Sequence, residues 1–353
     1  MRTEQNGKRT SFQEVCGALL VIALVFGLDA PSSAYVRPGT TRSVSVPDGG
    51  TNQRDAIPTG HIHSDISGNG RFVVFGTSRK GLAPGRESPA NQNLFVRDMK
   101  TGDLALVTVS PEGVPLVYPP SVLGYGSGGE SISHDGRHVA FFSDALNLVR
   151  GDTNLAADVF VRDMDRGNVV RVSVSTDEEE ANGPSTAAAI SGNGRFVAFQ
   201  SSASNLVPGD TNGESDVFVR DLKKETTERI SISSKREQAN DFSGGGSISS
   251  TGRFIVFSSW ATNLVPDDTN GTIDVFVRDR VKGRTERVSV SSLDEEGNDL
   301  SGGWLSVSDD GRHVAFRSLA SNLVPVNRTG LGLNGYHIYV RDRRAHRTQR
   351  VDV

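Results

Sequence analysis

Residues 191–233 read SGNGRFVAFQSSASNLVPGDTNGESDVFVRDLKKETTERISIS, and most of this stretch returns in altered form four more times along the chain. The copies align on a Gly-Arg pair, whose arginines are Arg71, Arg137, Arg195, Arg253 and Arg312. Successive arginines are 66, 58, 58 and 59 residues apart. A repeat of nearly constant length is typical of a solenoid, a propeller or another array of structural units.

Each copy contains four short runs of strand-forming residues. In this copy the first three are Ala189–Ser191, Phe196–Phe199 and Asp216–Asp221, and Arg171–Ser175 in the preceding copy exemplifies the fourth. The turn at residues 192–194 is Gly-Asn-Gly, which tolerates the positive φ angles of a two-residue hairpin turn. The fourth run alternates valine with polar residues, which predicts an outer strand. We therefore predict an all-β propeller of five four-stranded blades, with a six-bladed ring containing an incomplete blade as the alternative.

The pattern Ser-x-x-Gly-Arg-Phe-Val-Ala-Phe followed by Asp-Val-Phe-Val-Arg-Asp resembles the TolB-type, WD-repeat-like β-propeller family of bacterial envelope and secreted proteins. The resemblance covers about residues 60–353. It implies the propeller fold but no single activity, because such propellers carry many functions. Only about 25 residues separate Ala34 from the first copy, so we expect no counterpart of the additional N-terminal domain of TolB. The partners of TolB are therefore not transferred.

The N-terminus has the features of a secretory signal. Basic residues precede an apolar run from Val15 to Leu28, and small residues lead to a predicted cleavage site after Ala34. This run is shorter than the about 20 residues of a membrane span, so no span is expected after cleavage. We predict a signal peptide at 1–34 and a protein that is secreted or held in the cell envelope.

The remaining chain is divided into an N-terminal extension at 35–60 and a propeller at 61–353. Residues 42–46 of the extension (RSVSV) resemble a fourth strand, and the chain ends on another at Arg350–Val353. We expect these two ends to meet and close the ring, which would remove a free sheet edge.

Composition excludes several classes of partner. The formal net charge is −4 and no basic face or basic amphipathic stretch is apparent, so neither nucleic acid nor a membrane surface is an expected partner. Cys16 is the only cysteine and precedes the predicted cleavage site, so the mature chain would rely on packing rather than disulfides. We expect a monomer.

The loop lengths distinguish the two ends of the propeller. With strands A to D in each blade, the A–B turns are short, whereas the B–C and D–A loops are long and share the other end, here called the long-loop face. Variable loops on a rigid scaffold usually carry binding function. The B–C loops contain Asp-Thr-Asn triplets, and the D–A loops contain Asp177–Glu180 and Asp294–Glu296, so we expect this face to be acidic.

The B–C loops of the second, third and fourth copies resemble half of a calcium loop, because carboxylate and amide oxygens alternate before a later aspartate. The predicted calcium ligands are Asp152, Asn154, Asp158, Asp210, Asn212, Asp216, Asp268, Asn270 and Asp274. The alternative interpretation is an Asx-turn network that orders a long hairpin.

A second candidate site is the central channel. His61, His63 and Asp65 alternate at the start of the first A strand, so their side chains would point the same way, and Glu130 is a further channel carboxylate. The alternative is one irregular strand start without a binding role. The Arg-Asp pair that ends each C strand recurs in all five copies, so we assign it to the scaffold: the aspartate accepts turn N–H groups and the arginine bridges neighbouring blades.

No nucleophile elbow, P-loop, His-Glu-x-x-His or dinucleotide motif is present in the sequence. The sequence therefore favours a non-catalytic scaffold that binds a protein or a glycan. The alternative is a hydrolase or lyase that uses the channel carboxylates and histidines.

Overall fold

The computed structural model describes residues 64–87, 92–119, 127–325 and 335–352. The predicted signal peptide, the extension with residues 42–46, the channel candidates His61 and His63, and the C-terminal Val353 lie outside these residues. In the part of the chain that is described, no helix is long and apolar enough to cross a membrane.

Within these described ranges, twenty strands form five antiparallel sheets of four strands, and each sheet is built from one sequence copy. Blade 1 contains β1 (Ser64–Ile66), β2 (Phe72–Thr77), β3 (Asn93–Asp98) and β4 (Leu104–Leu106). Blade 2 contains β5 (Ser127–Ile132), β6 (His138–Ser143), β7 (Asp158–Asp163) and β8 (Val169–Arg171). Blade 3 contains β9 (Ser185–Ile190), β10 (Phe196–Ser201), β11 (Asp216–Asp221) and β12 (Thr226–Arg229). Blade 4 contains β13 (Ser243–Ile248), β14 (Phe254–Ser259), β15 (Asp274–Asp279) and β16 (Arg284–Arg287). Blade 5 contains β17 (Ser301–Val307), β18 (His313–Ser318), β19 (His337–Asp342) and β20 (Arg347–Arg350).

The predicted all-β fold with five four-stranded blades is confirmed. Successive A strands (β1, β5, β9, β13 and β17) contact one another, which places them innermost. The core lies between blades: Val159 and Val161 of blade 2 pack in one cluster with Val197 and Phe199 of blade 3. A single blade could not bury its faces alone, so neighbouring blades stabilise one another.

Two local predictions were wrong. The A–B connection is a four-residue loop rather than a two-residue turn, because the Ser191 amide donates to the Phe196 carbonyl at 2.8 Å. The side chain of Asn193 accepts from the Ser191 hydroxyl and the Arg195 amide, which fixes this loop. The outer strand of blade 2 ends at Arg171, and Ser173 and Ser175 beyond it are buried rather than solvent-facing.

The recurring Arg-Asp pairs have the predicted scaffold role, and the Gly-Arg pairs add an ion pair within each blade. The Arg195 guanidinium of the A–B loop pairs with Asp221 at the end of the C strand at 2.7 Å, and Asp221 also accepts the Lys223 and Lys224 amides. The Arg195 partner holds the pKa of Asp221 below its usual value. The same ion pair forms in every blade, between Arg71 and Asp98, Arg137 and Asp163, Arg253 and Asp279, and Arg312 and Asp342.

The arginine of each Arg-Asp pair in blades 2 to 5 reaches a carbonyl group of the preceding blade. Arg220 Nη1 donates to the Ser175 carbonyl at 2.9 Å, and Arg220 Nη2 pairs with Glu178. The corresponding acceptors are the Val109 carbonyl for Arg162, the Ser233 carbonyl for Arg278 and the Ser291 carbonyl for Arg341. These bonds link the blades and confirm the predicted bridging role.

Replacing Arg220 with methionine is expected to destabilise the protein by about 2 kcal/mol, because the buried Ser175 carbonyl loses its donor while the aliphatic volume is kept. Urea unfolding measures this change. Methionine at the neighbouring exposed Lys223 is the control and should leave the midpoint unchanged. Equal midpoints for the two variants would contradict the bridging role.

Candidate functional site

The A–B end of the propeller is filled along its axis. The His134 amide of blade 2 donates to the Gly192 carbonyl of blade 3 at 2.9 Å, and His134 Nδ1 lies 3.2 Å from the Ser250 hydroxyl of blade 4. The Ser250 amide in turn donates to Asp309 of blade 5 at 3.0 Å. Because His134 reaches a blade two positions further along the ring, the axis is narrow at this end.

Three clusters of carboxylates lie beneath the long-loop face, and each surrounds an arginine from a D strand. In blade 2, Asp152, Asp158 and Glu180 bring carboxylate oxygens within 4.8 Å of one another. Arg171 pairs with Glu180 and approaches Asp158 at 3.4 Å and Asp152 at 3.6 Å. We call this group and its counterparts the arginine-centred clusters. The counterparts are Asp210, Asp216, Gln238 and Arg229 in blade 3, and Asp268, Asp274, Glu296 and Arg287 in blade 4.

The carboxyl groups of these clusters titrate in unusual ranges. Burial raises the pKa of Asp158 and of Asp268 to about 6, against the opposing effects of their arginine neighbours. For Glu180, hydrogen bonds from Thr153 and the charge of Arg171 outweigh burial, so its pKa is lowered. The arginine is therefore the counter-ion that allows three clustered carboxyl groups to ionise at neutral pH.

The asparagines of the predicted calcium loops form Asx turns. Asn154 Oδ1 accepts the Ala156 amide at 2.8 Å, and Asn154 Nδ2 donates to the Ala181 carbonyl at 2.9 Å and to Asp158 at 3.2 Å. Asn212 and Asn270 make the same bonds in blades 3 and 4. These bonds fit the Asx-turn interpretation. Calcium binding by the nine residues stays a prediction, and it would require the ion to displace the central guanidinium.

The prediction of an acidic long-loop face was wrong for some of the D–A loop carboxylates, which lie at the opposite end of the propeller. Glu178 pairs with Arg220 at the end of the next blade's C strand, and Asp294 pairs with Arg341 and lies 3.0 Å from His346 in the C–D turn of blade 5. The D–A loops thus cross to the C–D hairpins of the following blades before they return. Asp152, which does lie beneath the long-loop face, is buried against Arg171.

Asp65 and Glu130, the two channel candidates among the described residues, lie between blades 1 and 2. Asp65 accepts hydrogen bonds from the Ile66 amide (2.8 Å), the Ile132 amide (2.9 Å) and the Ser131 hydroxyl (3.1 Å). Glu130 is buried, and neither of its carboxylate oxygens has a well-aligned hydrogen-bond partner. Burial raises the pKa of Glu130 to about 8, against the opposing effect of the nearby Glu130 and Gly76 backbone amides and with a smaller contribution from the charge of Asp65. This geometry gives no support to acid–base chemistry on a channel ligand.

Sequence reasoning missed a group of aromatic residues. The exposed large aromatic side chains of the described residues are Trp260, Trp304 and Tyr336, which are 42%, 63% and 44% exposed. Trp260 begins the B–C loop of blade 4 and Tyr336 ends that of blade 5, so both lie at the long-loop face. Trp304 lies on the innermost strand of blade 5 and is close to Tyr336, because Arg317 lies over both its ring (5.4 Å to the centroid) and that of Tyr336 (3.7 Å).

Trp304 is presented by an irregularity of the innermost strand. The A strands of blades 2 to 4 have six residues and a register shift against their B strands, whereas β17 has seven residues and a shift, between Gly302 and Ser306, that is one residue longer. Gly303 within this bulge has a φ of 84°, which favours glycine. The extra residue falls within the 59-residue interval between Arg253 and Arg312, which was the one available signal in the sequence.

No protein-family model matches the chain, and no curated protein matches it either. Among solved structures it is similar to TolB from Acinetobacter baumannii (16% identity, TM-score 0.43, 75% of this chain and 51% of that chain covered). It is also similar to a putative TolB from Agrobacterium tumefaciens (14%, 0.46, 81% and 78%) and to the propeller domain of the Trilobed protease from Pyrococcus furiosus (12%, 0.46, 80% and 68%).

The chain spans about half the length of the Acinetobacter TolB that it matches. The structural likeness to TolB propellers predicted from the repeat motif is therefore found, at low identity. The five-bladed architecture itself follows from the chain's own strands.

Proposed function

We propose that the protein is a secreted, non-catalytic β-propeller that binds a glycan or a protein at its long-loop face. The observation that carries the proposal is that Trp260 and Trp304, the only two tryptophans of the chain, are both exposed. Trp260 lies in a loop of this face, and Trp304 lies on the innermost strand of blade 5, where Arg317 connects it to Tyr336 of this face. Tryptophan is largely buried in most folded proteins and is enriched at binding sites, where its large ring supplies contact area.

The scaffold beneath the face supports binding by keeping the loops in one conformation. Each arginine-centred cluster ties a B–C loop to the following D–A segment, as where Thr153 donates to Glu180 while Arg171 pairs with the same carboxylate. A loop that is ordered before binding loses less conformational entropy on binding. The clusters thus position the B–C loops of blades 2 to 4, and the exposed aromatic residues of blades 4 and 5 supply the contacts.

The test compares aromatic variants at the two ends of the propeller. The mature protein is screened by biolayer interferometry against a panel of bacterial and plant polysaccharides and extracytoplasmic proteins. We expect at least one ligand whose affinity falls about tenfold or more in the W260A/W304A variant, as expected when interface aromatics are truncated. The control is V281A, which removes an exposed apolar side chain from a C–D turn at the opposite end and should bind normally.

Two results would overturn the proposal. One is a ligand whose binding survives W260A/W304A and is lost in V281A, because binding would then lie at the A–B end. The other is turnover of a bound polysaccharide or peptide by the wild-type protein, because the function would then be catalytic. N-terminal sequencing of the exported protein tests secretion, with Tyr35 expected as the first residue.

A further inference from the structure

Among the described residues, no carboxylate neutralises one cation of blade 5. Arg317 Cζ lies 3.7 Å from the ring centroid of Tyr336 and 5.4 Å from that of Trp304. Within the described residues no carboxylate pairs with Arg317, and its buried Nε has no hydrogen-bond partner. In contrast, Arg171, Arg229 and Arg287 each lie among carboxylates. Arg317 is therefore a positive group held between two exposed rings with its pairing capacity unused.

The position of Arg317 is specific to blade 5. It is the fifth residue of its B strand, where blades 1 to 4 have Gly76, Phe142, Gln200 and Ser258. A side chain at residue 303 would come within 3.1 Å of Arg317 Nη2, so Gly303 provides the room that the guanidinium needs. The extra residue of β17 then carries Trp304 to the same place. The extra residue of β17 and Arg317 thus form, with Trp304 and Tyr336, a group of side chains that the other four blades do not have.

We propose that Trp304, Arg317 and Tyr336 form a subsite for one carboxylate-bearing sugar residue of a uronate-containing glycan. The inference rests on the proposed function and names the ligand class of the same face. A guanidinium offers two parallel N–H donors that match a carboxylate, and stacking on an aromatic ring holds it in place for that pairing. The exposed rings offer flat apolar surfaces on which the C–H face of a pyranose can lie, as aromatic residues with a polar edge do at wet sites.

The size of the group favours a saccharide over a protein partner. A stable protein interface buries roughly 800 Å² on each partner, spread over many residues. Here the exposed aromatic surface around the cation consists of two side chains, which suits a ligand of one or two sugar rings. An acidic peptide is the competing ligand, and the experiment below includes it.

The test uses the full mature chain and three matched pairs of probes. They are the trimers of mannuronate, galacturonate and glucuronate, each compared with its uncharged counterpart: mannotriose, galactotriose and cellotriose. Binding is followed by tryptophan fluorescence and by calorimetry. The W260F variant makes Trp304 the only tryptophan, so its fluorescence reports on this subsite alone.

We expect at least one uronate trimer to bind and to shift the fluorescence of W260F, with its neutral counterpart at least about tenfold weaker, as expected for a lost charge-assisted pair. W304A and R317Q should each weaken uronate binding by a similar factor. Glutamine is the residue of blade 3 at the position of Arg317, so R317Q keeps a side chain that this fold already accepts. V281A, in a C–D turn at the opposite end of the propeller, is the control and should bind uronates normally.

Any of three outcomes would overturn the inference. The first is that no uronate trimer binds, and the second is that binding is the same for uronate and neutral trimers or is unaffected by R317Q. The third is that a hexaglutamate peptide binds this subsite more tightly than every uronate. If another ligand still binds the long-loop face in a W260-dependent way, the subsite fails while the proposed function stands.

Discussion

The R287M variant is expected to lose about 3–5 kcal/mol of stability at neutral pH, because it leaves buried carboxylates without their counter-ion. Arg287 pairs with Glu296 and approaches Asp274 at 3.2 Å and Asp268 at 3.4 Å. Methionine keeps much of the side-chain volume and removes the charge. Three carboxyl groups with oxygens within 4.8 Å of one another would then have no neutralising charge, although Thr269 still donates to Glu296 and Asn270 to Asp274.

Blade 3 provides the matched control. In its cluster Gln238 replaces the glutamate, and Gln238 Nε2 donates to Asp210 at 2.9 Å and to Asp216 at 3.2 Å. The R229M variant leaves two carboxylates instead of three, and both keep an amide donor. We expect R229M to cost about 1–3 kcal/mol, clearly less than R287M.

A second measurement is how the stability loss caused by R287M changes with pH. Without Arg287 the pKa values of Asp268 and Asp274 rise further, so the folded variant binds more protons than the unfolded chain and becomes more stable as the pH falls. The penalty of R287M should therefore shrink towards about pH 5, as urea unfolding at several pH values would show. Equal penalties for R287M and R229M at every pH would contradict the counter-ion role.

The same variant tests the calcium prediction. Millimolar calcium should leave the melting temperature of the wild type unchanged, because the guanidinium already neutralises the cluster. It should raise that of R287M, where the carboxylates of Asp268, Asp274 and Glu296 are free to bind a hard cation. A calcium-dependent rise in the wild type that is lost in the D210A/D268A variant would instead establish the nine predicted ligands as a calcium site.

The sequence predicted the repeated parts of this structure well, because the packing of each blade imposes the same residues on every copy. The 58-residue period, the Gly-Arg pair and the Arg-Asp pair each correspond to a contact that recurs blade after blade. It failed where the path of a loop matters. Asp177–Glu180 belongs to one D–A loop, yet Glu178 lies beside the next blade and Glu180 returns to Thr153.

The sequence contains a pattern that indicates the arginine-centred clusters. Arg171, Arg229 and Arg287 are themselves 58 residues apart, so their recurrence with the Asp-Thr-Asn triplets was visible. What the sequence does not show is that a D-strand side chain turns towards the B–C loop. The aromatic group of blade 5 is harder to predict, because a single inserted residue does not reveal which side chain a bulge exposes.

Glu130 should make the stability of the protein fall as the pH rises. Burial raises its pKa from 4.5 to about 8, so between these values the folded protein keeps a proton that the unfolded chain releases. Its contribution is fully present below pH 4.5 and is lost progressively up to about pH 8. At about 1.4 kcal/mol per pH unit, the loss over this range is of the order of 3–5 kcal/mol.

The E130Q variant should remove this part of the pH dependence, because an amide has no proton to release. It should match the wild type near pH 4.5 and be more stable than the wild type by several kcal/mol at about pH 8. Alanine is the residue of blade 3 at this position (Ala188), so E130A is a second variant, with an added loss of packing that does not vary with pH. Chemical unfolding from pH 4.5 to about pH 8.5 gives the free energies of all three proteins.

The difference between variant and wild type isolates Glu130, since Asp65 and the arginine-centred clusters titrate in all three proteins. The free energy of unfolding should change with pH by the same smaller amount in both variants than in the wild type. E130A should be less stable than E130Q at every pH, because it also loses packing. Parallel curves for wild type and E130Q would mean that the carboxyl group of Glu130 is ionised in the folded protein at neutral pH. A solvated or hydrogen-bonded carboxylate would then lie between blades 1 and 2, and the channel wall would be open to water at a point where the structure shows it packed.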